Sequence, residues 1–173
     1  MTERSHPAEV AEKGNAAAIK ALAARLATEQ NCLVRLAAVN AVARIAERGN
    51  AIAIKAVAER SMEVDRWGYR LAVVETLGKI AERGNAVAIK ALAGYLATEQ
   101  SNGVRLAAVK SLGKLAERGN AIAIEAVVGH SGDADNDFFT KEIRSALVET
   151  LGKLAERGND VAIKAVAGRL ELS

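Results

Sequence analysis

Among the 173 residues, the side chains able to do chemistry are few and poorly spaced for it. Asp133, Asp135 and Asp137 alternate as the opening of a calcium loop does. The sixth place of that pattern holds Phe138 instead of glycine and the twelfth Arg144 instead of glutamate, so a solvated, helix-capping acidic loop is the expected reading. His6 and His130 lie far apart in sequence, and no histidine is tied by spacing to the single cysteine, Cys32. No phosphate loop, nucleophile elbow or His-Glu-x-x-His occurs. Glu149 and Glu156 flank Lys153 at helical spacing, where pairing along one helix face accounts for them. No catalytic residue, metal site or cofactor is expected.

Residues suited to recognition are easier to find. Asp65-Arg66-Trp67-Gly68-Tyr69-Arg70 gathers the only tryptophan, a tyrosine and two arginines into what reads as one inter-helix loop. These residue types are enriched at binding hot spots. The competing reading puts Tyr69 in the core in place of Val34, with Trp67 covering a seam. Phe138 and Phe139 pose the same choice, either folding back over apolar side chains or forming a second sticky spot.

Behind these departures stands a repeat. Ala-Glu-(Arg/Lys)-Gly-Asn occurs five times, its glycine at positions 14, 49, 84, 119 and 158. That spacing is too short for a domain and too long for a heptad, so each unit is expected to be one supersecondary element leaning on its neighbours. The units run 14–48, 49–83, 84–118 and 119–157, with a stub over 1–13 and a partial unit over 158–173, in a single domain over 1–173. Glycine accepts the left-handed conformation past a helix end, and the asparagine caps the next helix. The basic residue before each glycine (Lys13, Arg48, Arg83, Arg118, Arg157) is expected in the last helical turn, complementing the helix dipole.

After each cap a one-sided amphipathic helix is predicted, over Ala16–Ala27 in the first unit, with Ile19, Leu22 and Leu26 inward. A polar break at 28–31 precedes a second helix over Leu33–Arg48, apolar around more than half its circumference. Such a helix has to be covered on two sides. Only a stripe stays polar: Asn40, Arg44 and Glu47, then Glu75, Lys79 and Glu82, then Lys110, Lys114 and Glu117, then Glu149, Lys153 and Glu156. Leu36, Leu71 and Leu106 stand at its margin, with Ser145 in the last full unit. Ala43, Gly78, Gly113 and Gly152 share one place in mid-helix, where close helix contact is the expected reason for glycine. Alternate units are the more alike, which duplication of a two-unit block would produce.

Val104-Arg105-Leu106-Ala107-Ala108-Val109-Lys110-Ser111-Leu112-Gly113-Lys114-Leu115 resembles the second helix of a HEAT-like repeat, and Ala-Ile-Lys-Ala-Leu at 88–92 resembles its first. The resemblance covers Gly14 to Ser173. It implies an all-α, right-handed α-solenoid of antiparallel helix pairs, and little about activity, because folds of this kind serve scaffolds, adaptors and some DNA-repair enzymes. It also implies a ladder in which Arg35, Arg70, Arg105 and Arg144 bond to an acidic residue or loop carbonyl of a neighbouring unit. Glu29, Asp65, Glu99 and Asp137 are the approximate candidates in the preceding loops.

Composition agrees with that reading. Half the residues are apolar and only 3% aromatic, which suits closely approaching helices. A net charge of +3 from 24 basic and 21 acidic residues argues against a dedicated nucleic-acid binder, since a phosphate-binding surface concentrates uncompensated cations. No apolar leader or membrane-length run is present, and the cytosol is the expected compartment. The expected function is a non-enzymatic scaffold for a protein or peptide. Trp67, Tyr69, Arg66, Phe138, Phe139, Leu36, Leu71, Leu106, Lys79 and Lys114 are the candidate contact residues. Self-assembly through uncapped ends is the second expectation, and nucleic-acid binding along Arg44, Lys79, Lys114 and Lys153 a distant third.

Overall fold

The structure, a computed structural model, describes the backbone of residues 7–59, 67–129 and 138–155, and side chains at 15–59, 67–129 and 141–155. Arg66, the acidic loop 133–137, the side chains of Phe138 and Phe139, and the terminal segments on which association through the ends was argued lie outside the described residues.

Among the described residues the chain is all-helical: α1 Pro7–Thr28, α2 Cys32–Ile45, α3 Ala51–Glu59, α4 Trp67–Ile80, α5 Ala86–Thr98, α6 Asn102–Leu115, α7 Ala121–Gly129 and α8 Phe138–Leu154. The odd helices α3, α5 and α7 share one buried register. Ala53, Ile54 and Val57 of α3 recur as Ala88, Ile89 and Leu92 of α5 and as Ala123, Ile124 and Val127 of α7, all buried. The even helices bury Val73, Val74, Leu77 and Ile80 of α4 and Ala108, Val109, Leu112 and Leu115 of α6, and α5 buries as much, adding Ala93, Tyr95 and Leu96. Contacts follow from those faces. α2 packs on α4, α4 on α6 and α6 on α8, while α1 packs on α3, α3 on α5 and α5 on α7. Each odd helix also touches the even helix that follows it.

Capping follows the sequence. Asn50, Asn85 and Asn120 each accept, at Oδ1, the backbone N–H three residues on, at 2.9 to 3.0 Å. Asn31 does the same for the N–H groups of Leu33 and Val34 at the start of α2.

Helix ends differ from expectation. The second helices stop at Ile45, Ile80, Leu115 and Leu154, well short of the basic residue before glycine. Ala46 is already extended, with φ −75° and ψ 130°. Stopping early leaves a terminal carbonyl free for the turn that opens the same unit, and the glycine N–H takes it: Gly49 N donates to Ile80 O at 2.7 Å, Gly84 N to Leu115 O at 2.7 Å and Gly119 N to Leu154 O at 2.8 Å. All three glycines hold φ between +75° and +86°, which a side chain would strain. Arg48 therefore does more than complement a dipole. Its Nε donates to Ala81 O at 3.1 Å, on the neighbouring unit.

The fourth such place behaves otherwise. Gly14 and Asn15 were expected to form a turn ahead of a helix at Ala16, yet α1 runs through them unbroken from Pro7. The carbonyl that a glycine N–H takes elsewhere is here taken by a side chain, Asn15 Nδ2 donating to Ile45 O at 2.9 Å. With that carbonyl satisfied, no left-handed glycine is needed.

Candidate functional site

Trp67, Gly68, Tyr69 and Arg70 form the first turn of α4, so the expected loop is helix from Trp67 onward. Side chains at successive positions then point about 100° apart and part company. Tyr69 turns inward and is 1% exposed, which makes it a packing residue and removes it from any contact surface. Trp67 turns outward and is 63% exposed.

Tyr69 sits beneath Arg35, whose guanidinium carbon is 5.9 Å from the ring centroid, within cation–π reach. Arg35 is buried and donates from Nη2 to Gln30 O at 3.3 Å, while its Nε and Nη1 have no hydrogen-bond partner. Arg70, its counterpart one unit on, instead meets a carboxylate. Its Nε lies 2.6 Å from Glu99 Oε2 and its Nη2 3.2 Å from Glu99 Oε1, the two-pronged geometry that suits a guanidinium. Glu99 belongs to the loop before α6, so the pair joins two units. Burial pushes the Glu99 carboxyl up, but the Arg70 bonds and the Ser101 N–H outweigh it and hold the group below the ordinary carboxylate value.

The stripe on the even helices gathers into a groove. A hollow of about 550 Å³ lies between α4 and α6. Leu71 and Leu106 line it, Gly78, Gly103, Ala107 and Ser111 lie among them, and Lys79, Lys110, Lys114 and Glu75 surround them. Close approach of the two helices is enforced beside it, because a Cβ on Gly78 would stand 2.5 Å from Ser111 Oγ. The next pair repeats the device, a Cβ on Gly113 falling 2.9 Å from Thr150 Oγ1. Both hydroxyl residues are buried, and Thr150 donates to Val109 O at 3.5 Å.

Four of the candidate residues, Leu71, Leu106, Lys79 and Lys114, thus share one groove. Leu36 packs against the core from α2, and neither it nor Trp67 lines the hollow. Lys110 and Glu75 also belong to the groove, and the signal for Lys110 was visible: it is the lysine where the other units carry Asn40, Glu75 and Glu149. Lys79 is anchored, its Nζ donating to Ala43 O at 2.7 Å near the end of α2.

The odd helices present a different surface. Ile52, Val87 and Ile122 are about half exposed at 35-residue intervals, and a smaller hollow of about 240 Å³ beside Ile52 is lined by Ala23, Ala27, Lys55, Ala56 and Glu59. No group of three or more histidine, cysteine or acidic side chains that could hold a metal occurs among the described residues. None of the described helices is long and apolar enough to cross a membrane. Comparison of the chain with protein-family models and with curated proteins finds no match.

Proposed function

We propose that this chain is a HEAT-like α-solenoid of antiparallel helix pairs acting in the cytosol as a non-enzymatic scaffold, which holds a peptide or protein segment against the even helices. The groove between α4 and α6 is the observation that carries this reading. Its margins offer Leu71 and Leu106 for apolar contact, its glycine and alanine positions leave room for a backbone, and its lysines supply orientation. Packing explains the small residues but gives no reason for exposed cations around them. Trp67, on the first turn of α4, provides an aromatic anchor at the edge.

Selection of peptides from a random display library on the full chain tests the reading. Selected peptides should bind in solution and lose about tenfold or more in affinity with Leu71→Lys, circular dichroism remaining helical. Failure to select any peptide, or binding indifferent to Leu71→Lys and Trp67→Ala together, would overturn it.

Self-assembly is the second reading, favoured by the periodic exposure of Ile52, Val87 and Ile122. Sedimentation showing a monomer at every concentration would remove it. Nucleic-acid binding ranks below both, because Glu82 and Glu117 offset the lysine row.

A further inference from the structure

The charges along the even helices narrow the class of partner. At the first place of the polar stripe stand Asn40, Glu75, Lys110 and Glu149, and at the second Arg44, Lys79, Lys114 and Lys153. In α8 the two places neutralise each other, with Lys153 Nζ 2.5 Å from Glu149 Oε1. In α6 both are cations one turn apart. Lys114 forms no ion pair or hydrogen bond among the described residues, and Lys110 reaches Glu142, at 3.4 Å, through side chains about half exposed to water, with Glu149 also within its electrostatic range. Water screens such a contact, and a ligand carboxylate readily replaces it. Lys79 also lines the hollow, although its ammonium is bonded to Ala43 O, and Glu75 is the carboxylate residue among the lining.

We infer that the groove between α4 and α6 takes an extended acidic peptide segment, an inference that rests on the scaffold reading above. Packed helices lie about 8–10 Å apart, and an extended chain advances about 3.3 Å per residue. Side chains at alternate positions share one face, so acidic groups four positions apart span about 13 Å, within reach of the flexible lysines lining the groove, and an apolar side chain midway between them meets Leu71 and Leu106. A nucleic acid fits less well. Its phosphates would run past Glu75, Glu82 and Glu117, whereas a peptide places its carboxylates only where the lysines are.

Fluorescence anisotropy with the full chain and three short labelled probes tests this. The probes are a peptide with glutamates four positions apart and a leucine midway between them, the same peptide with lysine for glutamate, and single-stranded DNA. The glutamate peptide should bind about tenfold more tightly than the lysine peptide. Lys110→Glu should weaken it about three- to tenfold, K110E/K114E should abolish the preference, and Lys90→Glu on an odd helix should change nothing. Equal binding of the two peptides, tighter binding of the DNA, or indifference to K110E/K114E would each overturn the inference. Should the display selection yield groove-binding peptides that lack acidic residues, the acidic partner falls and the scaffold stands; should it yield none, both fall.

Discussion

The middle of the even-numbered helix series and its two ends use the same residues for different purposes. Gly78 and Gly113, between α4, α6 and α8, abut Ser111 and Thr150, whereas Gly152 in the same register meets nothing within 4 Å among the described residues and is exposed. Arg70 grips Glu99 from two sides, whereas Arg35 leaves two guanidinium nitrogens without a hydrogen-bond partner above Tyr69. Gly49, Gly84 and Gly119 close their units by bonding the end of the second helix through left-handed backbone, whereas Gly14 lies inside a helix and Asn15 makes the bond. A repeated residue acquires its role from the neighbour it meets, and identical residues without that neighbour are free of it.

The largest effect that could break this comparison is at the arginines. Arg70→Met leaves the Glu99 carboxylate, 3% exposed, without its partner, and is expected to cost about 3–5 kcal/mol in urea denaturation. Arg35→Met replaces a buried, half-satisfied cation with an apolar chain of similar length, and is expected to be neutral or stabilising by about 1 kcal/mol or more. Equal losses from the two would show that the arginines are equivalent after all.

The glycines give the next contrast. Gly78→Val and Gly113→Val should each destabilise by about 1–3 kcal/mol, because the new side chain overlaps a buried hydroxyl residue. Gly152→Ala should stabilise by up to about 1 kcal/mol, since helix propensity acts there without steric opposition. A loss from Gly152→Ala would mean that this face of α8 is covered in solution.

Acid provides a third measurement. Glu99 has its carboxyl held below the ordinary value in the folded chain, so its contribution is complete above about pH 4.5 and is lost as pH falls through the folded value. The urea midpoint of the native chain should drop more steeply below that pH than the midpoint of Glu99→Gln. Parallel curves would disconnect the Arg70 pair from stability. The smallest effects belong to the caps: Asn50→Ala, Asn85→Ala and Asn120→Ala should each cost about 1 kcal/mol, and by similar amounts, because their bonds are alike.

Much of this architecture was legible in the residues. The turns at Gly49, Gly84 and Gly119 and the caps at Asn50, Asn85 and Asn120 fell where those residue pairs called for them, Gly14-Asn15 did not follow, and the glycines of 78 and 113 proved to be contact points. Helix ends were misjudged because an apolar pattern continues to Arg48 while the backbone stops at Ile45, and nothing local announces that a group about 30 residues earlier, Asn15 there and a glycine in the later units, claims the last carbonyl. Trp67 and Tyr69 looked like partners because sequence shows adjacency and not direction. Lys110 carried a readable signal, an exception to a column of neutral and acidic residues, yet its meaning depended on which lysines shared its groove.

Local chemistry, then, was enough to determine that the chain is helical, the caps at Asn50, Asn85 and Asn120 and the inward faces, since each depends on residues a few positions apart along one chain segment. Only tertiary structure decided which arginine is satisfied, which glycine is crowded and which lysines converge. Those outcomes depend on groups about 30 residues away, brought near by packing, and burial alone converts their presence or absence into free energy.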